Sequence, residues 1–247
     1  MRVLVVCYHA VSTTWPAALS VTPAALRRQL EGLLSRGWTP ATFGDAMTRP
    51  RHDKTLAVTF DDAYDSVRLQ AAPLLAQLGV PATLFVPTDW PGERMRWPGI
   101  DHWATTPHAH ELQSMTWNDI RALAGAGWEI GSHTCSHPHL SQLDEDAIRR
   151  ELAESRATCE RELGQPCRTI AYPYGDADGR VRSTAAAVGY QAAAGLRAPA
   201  LRPDRFEWPR VGMWQGEPDW RVRVKTSQPE LWPRLRALQA RLRRRPA

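Results

Sequence analysis

The sequence has no apolar run approaching the length needed to cross a bilayer, so no transmembrane helix is expected. Its four cysteines, Cys7, Cys135, Cys159 and Cys167, form no Cys-x-x-Cys pair and no regular framework, and reduced thiols are expected. A basic stripe on the body is missing as well. Six arginines (Arg234, Arg236, Arg241, Arg243, Arg244 and Arg245) fall in the last fourteen residues, which contain no acid; without them 25 basic residues face 26 acidic ones. A nucleic-acid binder carries its positive charge on the folded domain. The net charge of +5 therefore belongs to the tail, and no nucleic-acid partner is expected. No secretory leader is evident. The start, Met1 to His9, has a short apolar run, lacks a small-residue cleavage site and ends in Tyr-His, so it reads as a buried strand and the protein as cytoplasmic. Histidine is absent after His139.

What is present suits one large domain. The 247 residues are 43% hydrophobic, enough for a substantial core, and 20 prolines with 16 glycines imply many connections. Short apolar strands are predicted over 3–8, 55–60, 82–86, 128–132, 168–171, 190–194 and 211–214. Between them fall helical patterns over 23–35, 66–78, 117–124, 145–163 and 180–188. This alternation implies βα units around a parallel sheet, either a barrel or an open doubly wound sheet, with functional groups at the carboxyl ends of the strands. Polar clusters stand at those ends: His9, Asp61-Asp62, His133 with His137, and Tyr172-Pro173-Tyr174-Gly175. The segment 87–115 breaks the rhythm with Trp90, Trp97 and Trp103, and either stacks on a ligand at the rim or packs on its neighbours. Leu231, Leu235, Leu238 and Leu242 share one face of a basic helix in a tail region taken as 223–247. That helix either docks on the body formed by 1–222 or contacts a membrane surface.

Adjacent carboxylates at a strand end repel unless positive charge lies beside them. Asp61-Asp62 thus calls for a cation, and His133 and His137, four apart in a segment leaving a strand, can aim two imidazoles at one point. One carboxylate and two histidines leave open positions for water and substrate, the composition of a catalytic zinc site that also suits cobalt, nickel, manganese or iron. His108 and His110 are a second pair, read as solvated, and Cys135 as a space-filling residue.

Thr59-Phe60-Asp61-Asp62, Glu129 through His137, and Tyr172-Pro173-Tyr174-Gly175 resemble the first three motifs of the polysaccharide deacetylase family, the NodB-homology carbohydrate esterases, over residues 1 to about 215. The resemblance implies a distorted (β/α) barrel of about seven strands and hydrolysis of an N-acetyl group on a hexosamine unit of a glycan, glycolipid or glycoside precursor. By motif, Asp62, His133 and His137 resemble the metal ligands, Asp61 the general base, and Pro173-Tyr174 the segment whose backbone N–H helps the metal hold the oxyanion. Two positions depart from the family pattern. The arginine that orients the base is replaced by Ala171, leaving Arg210 as the candidate substitute. The late histidine that acts as general acid is missing. Tyr8-His9-Ala10-Val11 is similar to the start of the poly-N-acetylglucosamine deacetylases, and barrel closure sets the first strand beside the last; His9 is therefore assigned as the acid, with His139 as competitor. Two other readings remain: a same-fold hydrolase of a ureide or cyclic imide, and a non-catalytic sugar-binding protein.

Overall fold

Period-two alternation sorts each strand's side chains onto two faces, and that sorting builds both the core and the site. The computed structural model describes residues 2–49, 52–196 and 204–227. Its elements are β1 (Arg2–Tyr8), β2 (Ala10–Val11), β3 (Ser20–Val21), α1 (Pro23–Leu34), β4 (Thr39–Ala41), α2 (Phe43–Thr48), β5 (Lys54–Phe60), α3 (Ala72–Leu78), β6 (Ala82–Val86), α4 (Trp117–Gly125), β7 (Glu129–Ser132), α5 (Glu145–Leu163), β8 (Thr169–Ala171), α6 (Gly179–Ala187), β9 (Ala192–Gly195), β10 (Trp208–Pro209), β11 (Val211–Gly212) and α7 (Asp219–Ser227). Eight strands pair in parallel in the order β10-β9-β8-β7-β6-β5-β1-β11, and β4 pairs with the first half of β5. The two ends of this path are consecutive in sequence with Arg210 alone between them, so the sheet bends into a nearly closed barrel. It has eight strand positions where the sequence suggested about seven, because a two-residue strand containing Pro209 carries no periodic signal.

Val5, Ala57, Phe85, Ala171, Ala192 and Ala194 face inward as one cluster, with Phe43 and Ala46 of α2 packed among them. Their neighbours on the same strands face outward. Leu4, Val6, Leu56, Val58 and Leu84 enter the larger core with the buried side chains of α1, α3 and α4, while Ile170, Tyr172 and Ala193 pack with those of α5 and α6. Each large apolar side chain buried this way contributes about 1.5–3 kcal/mol. The lumen is narrow enough to dictate a glycine: a Cβ on Gly131 would lie 2.6 Å from the Phe85 ring. At the end remote from the polar cluster, Glu129 accepts hydrogen bonds from Gly44 N at 2.7 Å, Thr83 Oγ1 at 2.8 Å and Thr169 Oγ1 at 2.7 Å. A concavity of about 530 Å³ opens there and includes no residue of that cluster.

The helix expected over 66–78 is divided. A π-turn at Val67–Ala71 precedes α3, because Pro73 lacks the N–H that would continue the α-helical ladder. The segment 87–115 packs on its neighbours. Met95, Trp97, Ile100, Leu112 and Met115 are buried and Trp90 and Trp103 are partly buried, so none of its tryptophans stands free at the rim. The division expected after residue 222 falls inside α7, where Val222, Lys225 and Thr226 are all buried. The remainder of that tail, with its leucine face, lies outside the described residues. No helix among the described residues is long and apolar enough to cross a membrane.

Candidate active site

At the carboxyl ends of the strands the inward positions turn polar. On β1 the series Val3, Val5, Cys7 continues to His9; on β5, Ala57 and Thr59 continue to Asp61; on β7, Gly131 leads to His133; after β10, Trp208 leads to Arg210. Asp61 extends the inward row. Asp62 and Ala63 then take left-handed conformations with φ of 71° and 56°, which turn the chain and send the second carboxylate elsewhere. Consecutive aspartates thereby enter different surroundings.

Asp61 is met by Arg210, with Nη1 2.7 Å from Oδ1 and Nη2 2.7 Å from Oδ2. The arginine side chain is fully enclosed, and its Nη1 also donates to Thr59 Oγ1 at 3.2 Å. Cys7 Sγ donates to Asp61 Oδ2 at 3.4 Å, and His9 Nε2 stands 4.0 Å from the same oxygen. Burial pushes the Asp61 carboxyl up, but Arg210, helped by His133 and His9, holds it net below the usual carboxylate range. Cys7, His9 and Asp61 lie close enough to hold a metal, but both oxygens of Asp61 are already taken by a guanidinium. This half of the site is built to keep an anion and to handle protons.

Asp62 is the centre of the other half. Its Oδ1 lies 3.4 Å from His133 Nε2 and 3.3 Å from His137 Nε2, is buried, and accepts no directed hydrogen bond. Tetrahedral coordination with bonds of about 2.0–2.2 Å sets ligand atoms roughly 3.3–3.6 Å apart, so the separations fit a zinc-sized ion. A hydrogen bond on the far side of its ring orients His133: Nδ1–H donates to Ala171 O at 2.7 Å, which leaves Nε2 with its lone pair facing Asp62. His137 is oriented by rings. Trp97 stacks on it at 4.2 Å and Tyr174 meets it edge-on at 4.7 Å, while its buried Nδ1 has no partner. Burial lowers the basicity of both imidazoles. Asp61, Asp62 and the bond to Ala171 bring His133 net above its ordinary value, whereas His137 stays below, because Asp61 acts on it least and the neighbouring His133 opposes its charge. Carboxylate and imidazole donors, an orphaned buried oxygen and matching separations together fit a divalent metal.

Residues 48–193 match the family model described as polysaccharide deacetylase. The chain belongs to that family. Among its relatives, the polysaccharide deacetylase homologue YxkH of Bacillus subtilis is 26% identical over 192 residues, covering 76% of this chain and 62% of that protein. The poly-β-1,6-N-acetyl-D-glucosamine N-deacetylase of Staphylococcus aureus is 25% identical over 131 residues, covering 49% of this chain and 41% of that enzyme. This chain thus spans less than two thirds of either relative. Among solved structures, IcaB from Ammonifex degensii superposes with a TM-score of 0.72 at 25% identity, covering 94% of this chain and 97% of that one.

Against the polysaccharide deacetylase pattern, the structure places the sequence candidates as follows. Ala171 contributes its carbonyl to His133, and Arg210 reaches Asp61 from the barrel seam. Tyr174, with φ of 58°, caps the site beside His137, and its hydroxyl donates to Pro98 O at 3.2 Å; Pro173 is buried beside it. His139 is separated from the Asp62–His133–His137 cluster by Tyr174, on whose ring it stacks at 3.9 Å, and its Nδ1 lies 3.8 Å from Asp176. His108 and His110 join no metal-holding cluster among the described residues. Cys135 points at α5, its Sγ 3.6 Å from Glu151 O, and burial raises its thiol to about 12. Sequence reasoning missed Cys7 and Trp97. Cys7 was signalled by lying two residues before His9 on one strand; nothing in the sequence of 87–115 singled out Trp97 from its neighbours.

Proposed function

We propose that this chain is a metal-dependent N-deacetylase acting on an N-acetylhexosamine unit of a glycan or glycoconjugate. The observation that carries the reading is the division of labour between adjacent aspartates: Asp61 in a bidentate pair with Arg210, Asp62 facing two imidazole nitrogens. The staphylococcal relative, whose named substrate is poly-N-acetylglucosamine, supports the sugar class. So do two exposed aromatic rings at the site, Tyr174 beside His137 and Trp214 beside His9.

Asp62, His133 and His137 would hold the ion, zinc first. A bound divalent ion polarises an acyl carbonyl and makes water acidic near neutral pH. Asp61, fixed as an anion by Arg210, accepts the proton of the attacking water. His9, whose Nε2 lies 4.0 Å from Asp61, would hand a proton to the departing sugar amine, which cannot leave as an amide anion. By resemblance to the family motif, the backbone N–H of Tyr174 would donate to the carbonyl oxygen as it gathers charge.

The test is to measure metal content and acetate release from N-acetylglucosamine oligomers for wild type, Asp61→Asn and His9→Ala. Acetate release that Asp61→Asn lowers by at least about a hundredfold is expected. Full metal occupancy with no acetate from any N-acetylated sugar overturns the reading.

A further inference from the structure

The segment joining the two histidine ligands turns through two left-handed residues, Thr134 with φ of 68° and His137 with φ of 65°, a conformation that side-chain-bearing residues avoid. Something must hold it there. His133 N donates to Val86 O at 2.8 Å, and Thr134 N to Ser132 Oγ at 3.1 Å. Cys135 N and Ser136 N both donate to one oxygen, Glu151 Oε2, at 2.8 and 3.1 Å, and His137 N donates to Thr134 Oγ1 at 3.2 Å. Every backbone N–H from His133 to His137 is therefore taken. Glu151 holds a third bond, accepting from Ser136 Oγ at 2.6 Å through Oε1. One turn further along α5, buried Ser155 bonds Ser132 Oγ at 2.7 Å, so positions 151 and 155 grip the loop from a single helix face.

Charge-assisted bonds from a carboxylate to two convergent N–H groups are stronger than neutral ones, and Glu151 is the only charged side chain in this set. The geometry points to Glu151 as a positioning residue that sets the separation of His133 Nε2 and His137 Nε2, and through it the affinity and coordination geometry of the metal site. Without Glu151 the N–H groups of Cys135 and Ser136 lose their acceptor, the loop relaxes away from its left-handed turns, and His137 moves off the point it shares with Asp62. The inference rests on the metal-holding role proposed above for Asp62, His133 and His137.

The experiment compares wild type, Glu151→Ala, Glu151→Asp, Glu151→Gln and Glu154→Ala, each freed of metal and shown folded by circular dichroism. Zinc affinity is read by competition with a chromophoric chelator, and the ligand field by the visible spectrum of the cobalt-loaded protein. Loss of an outer partner of this kind weakens metal binding about 10–100-fold. That loss, with an altered cobalt spectrum, is expected for Glu151→Ala. Glu151→Asp keeps the charge and withdraws the oxygens, so it is expected to lose affinity too, and it carries the comparison if the alanine variant does not fold. Glu151→Gln retains an oxygen that accepts from both N–H groups and is expected to recover most of the affinity. Exposed Glu154 removes a nearby charge from the same helix without touching the loop, and Glu154→Ala is expected to bind as wild type does. Wild-type zinc affinity and an unchanged cobalt spectrum in Glu151→Ala overturn the inference, as does an equal loss in Glu154→Ala. A wild type that binds zinc tightly but releases no acetate defeats the deacetylase reading and leaves this comparison intact; a wild type that binds no zinc defeats both.

Discussion

The guanidinium of Arg210 and the carboxylate of Asp61 share two parallel hydrogen bonds of 2.7 Å across 149 residues of sequence. The pair ties the barrel seam to the sheet, because Arg210 sits between the two strands that end the sheet and Asp61 stands at the tip of β5, two strands in from β11. An arginine at the closure thus does for Asp61, the proposed base, what Ala171 on β8 cannot.

Breaking this pair should be costly in two ways. Removing one member of a buried ion pair destabilises by about 3–5 kcal/mol. At roughly 2–4 °C per kcal/mol for a domain of this size, Arg210→Gln should melt roughly 6–20 °C lower. The second effect is on pH. The folded-state pKa of Asp61 is depressed, so the stability it contributes is present above the ordinary carboxylate pKa and lost as pH falls through the depressed one. With Arg210 gone the carboxyl moves up, and the acid limb of kcat/KM shifts to higher pH. Arg210→Lys keeps the charge without the second bond and should fall between. A melting temperature and pH–rate profile unchanged in Arg210→Gln would count against the role.

Glu129 gives a pH effect of opposite sign. Burial raises its pKa despite the bonds from Gly44, Thr169 and Thr83. The stability linked to it is therefore full below the ordinary glutamate pKa and declines as pH rises through the raised one. Glu129→Gln removes that decline while its amide oxygen still accepts. Melting temperatures measured from about pH 4 to about pH 8 should show the variant gaining on wild type as pH increases. A constant difference across the range contradicts the assignment.

How much of this was legible beforehand depended on whether a residue's role is local. The parallel sheet followed from strand–helix alternation, its closing into a barrel was implied only by the family resemblance, and the carboxyl-end rule put His9, Asp61, Asp62, His133 and His137 on one rim. Left-handed turns at Asp62, Thr134, His137 and Tyr174 were not legible, because aspartate, threonine, histidine and tyrosine carry no glycine-like signal for positive φ. Those turns aim the chemistry. Glu151 was hidden for another reason: as one acid among several on a 19-residue amphipathic helix, it is marked by its partners on a distant loop and not by its neighbours. The tryptophans of 87–115 were read with two outcomes open, and packing decided it, since Trp97 is consumed in stacking on His137.

Trp214 is one of the two exposed rings proposed above to meet substrate. It is 37% exposed, stacks on His9 with centroids 5.9 Å apart, and lies so close over Gly212 that a Cβ there would meet it at 2.7 Å. Aromatic stacking contributes about 0.5–1.5 kcal/mol, and about 1.4 kcal/mol is a factor of ten. Trp214→Ala should therefore raise KM for an N-acetylglucosamine oligomer about 2–10-fold. Trp220, 68% exposed on α7, is the control, and Trp220→Ala should leave KM where it was. Equal effects from the two variants would remove Trp214 from the substrate groove.

The proposed metal-holding role of Asp62, His133 and His137 makes a prediction that needs no substrate. An ion that binds only the folded chain adds about 2.7 kcal/mol of stability at a hundredfold excess over its Kd, or roughly 5–11 °C in melting temperature for a domain of this size. Wild type melted with excess zinc should exceed the chelated protein by that margin. Asp62→Asn should erase most of it, because the buried oxygen between the two imidazoles then lacks its charge. The second cluster provides the contrast. Cys7, His9 and Asp61 also offer three donor atoms within 4.8 Å of one another, but Arg210 already neutralises Asp61. Cys7→Ser should consequently keep the full zinc-dependent shift. If Cys7→Ser loses the shift and Asp62→Asn keeps it, the ion belongs with Asp61, and the roles of the two aspartates must be exchanged.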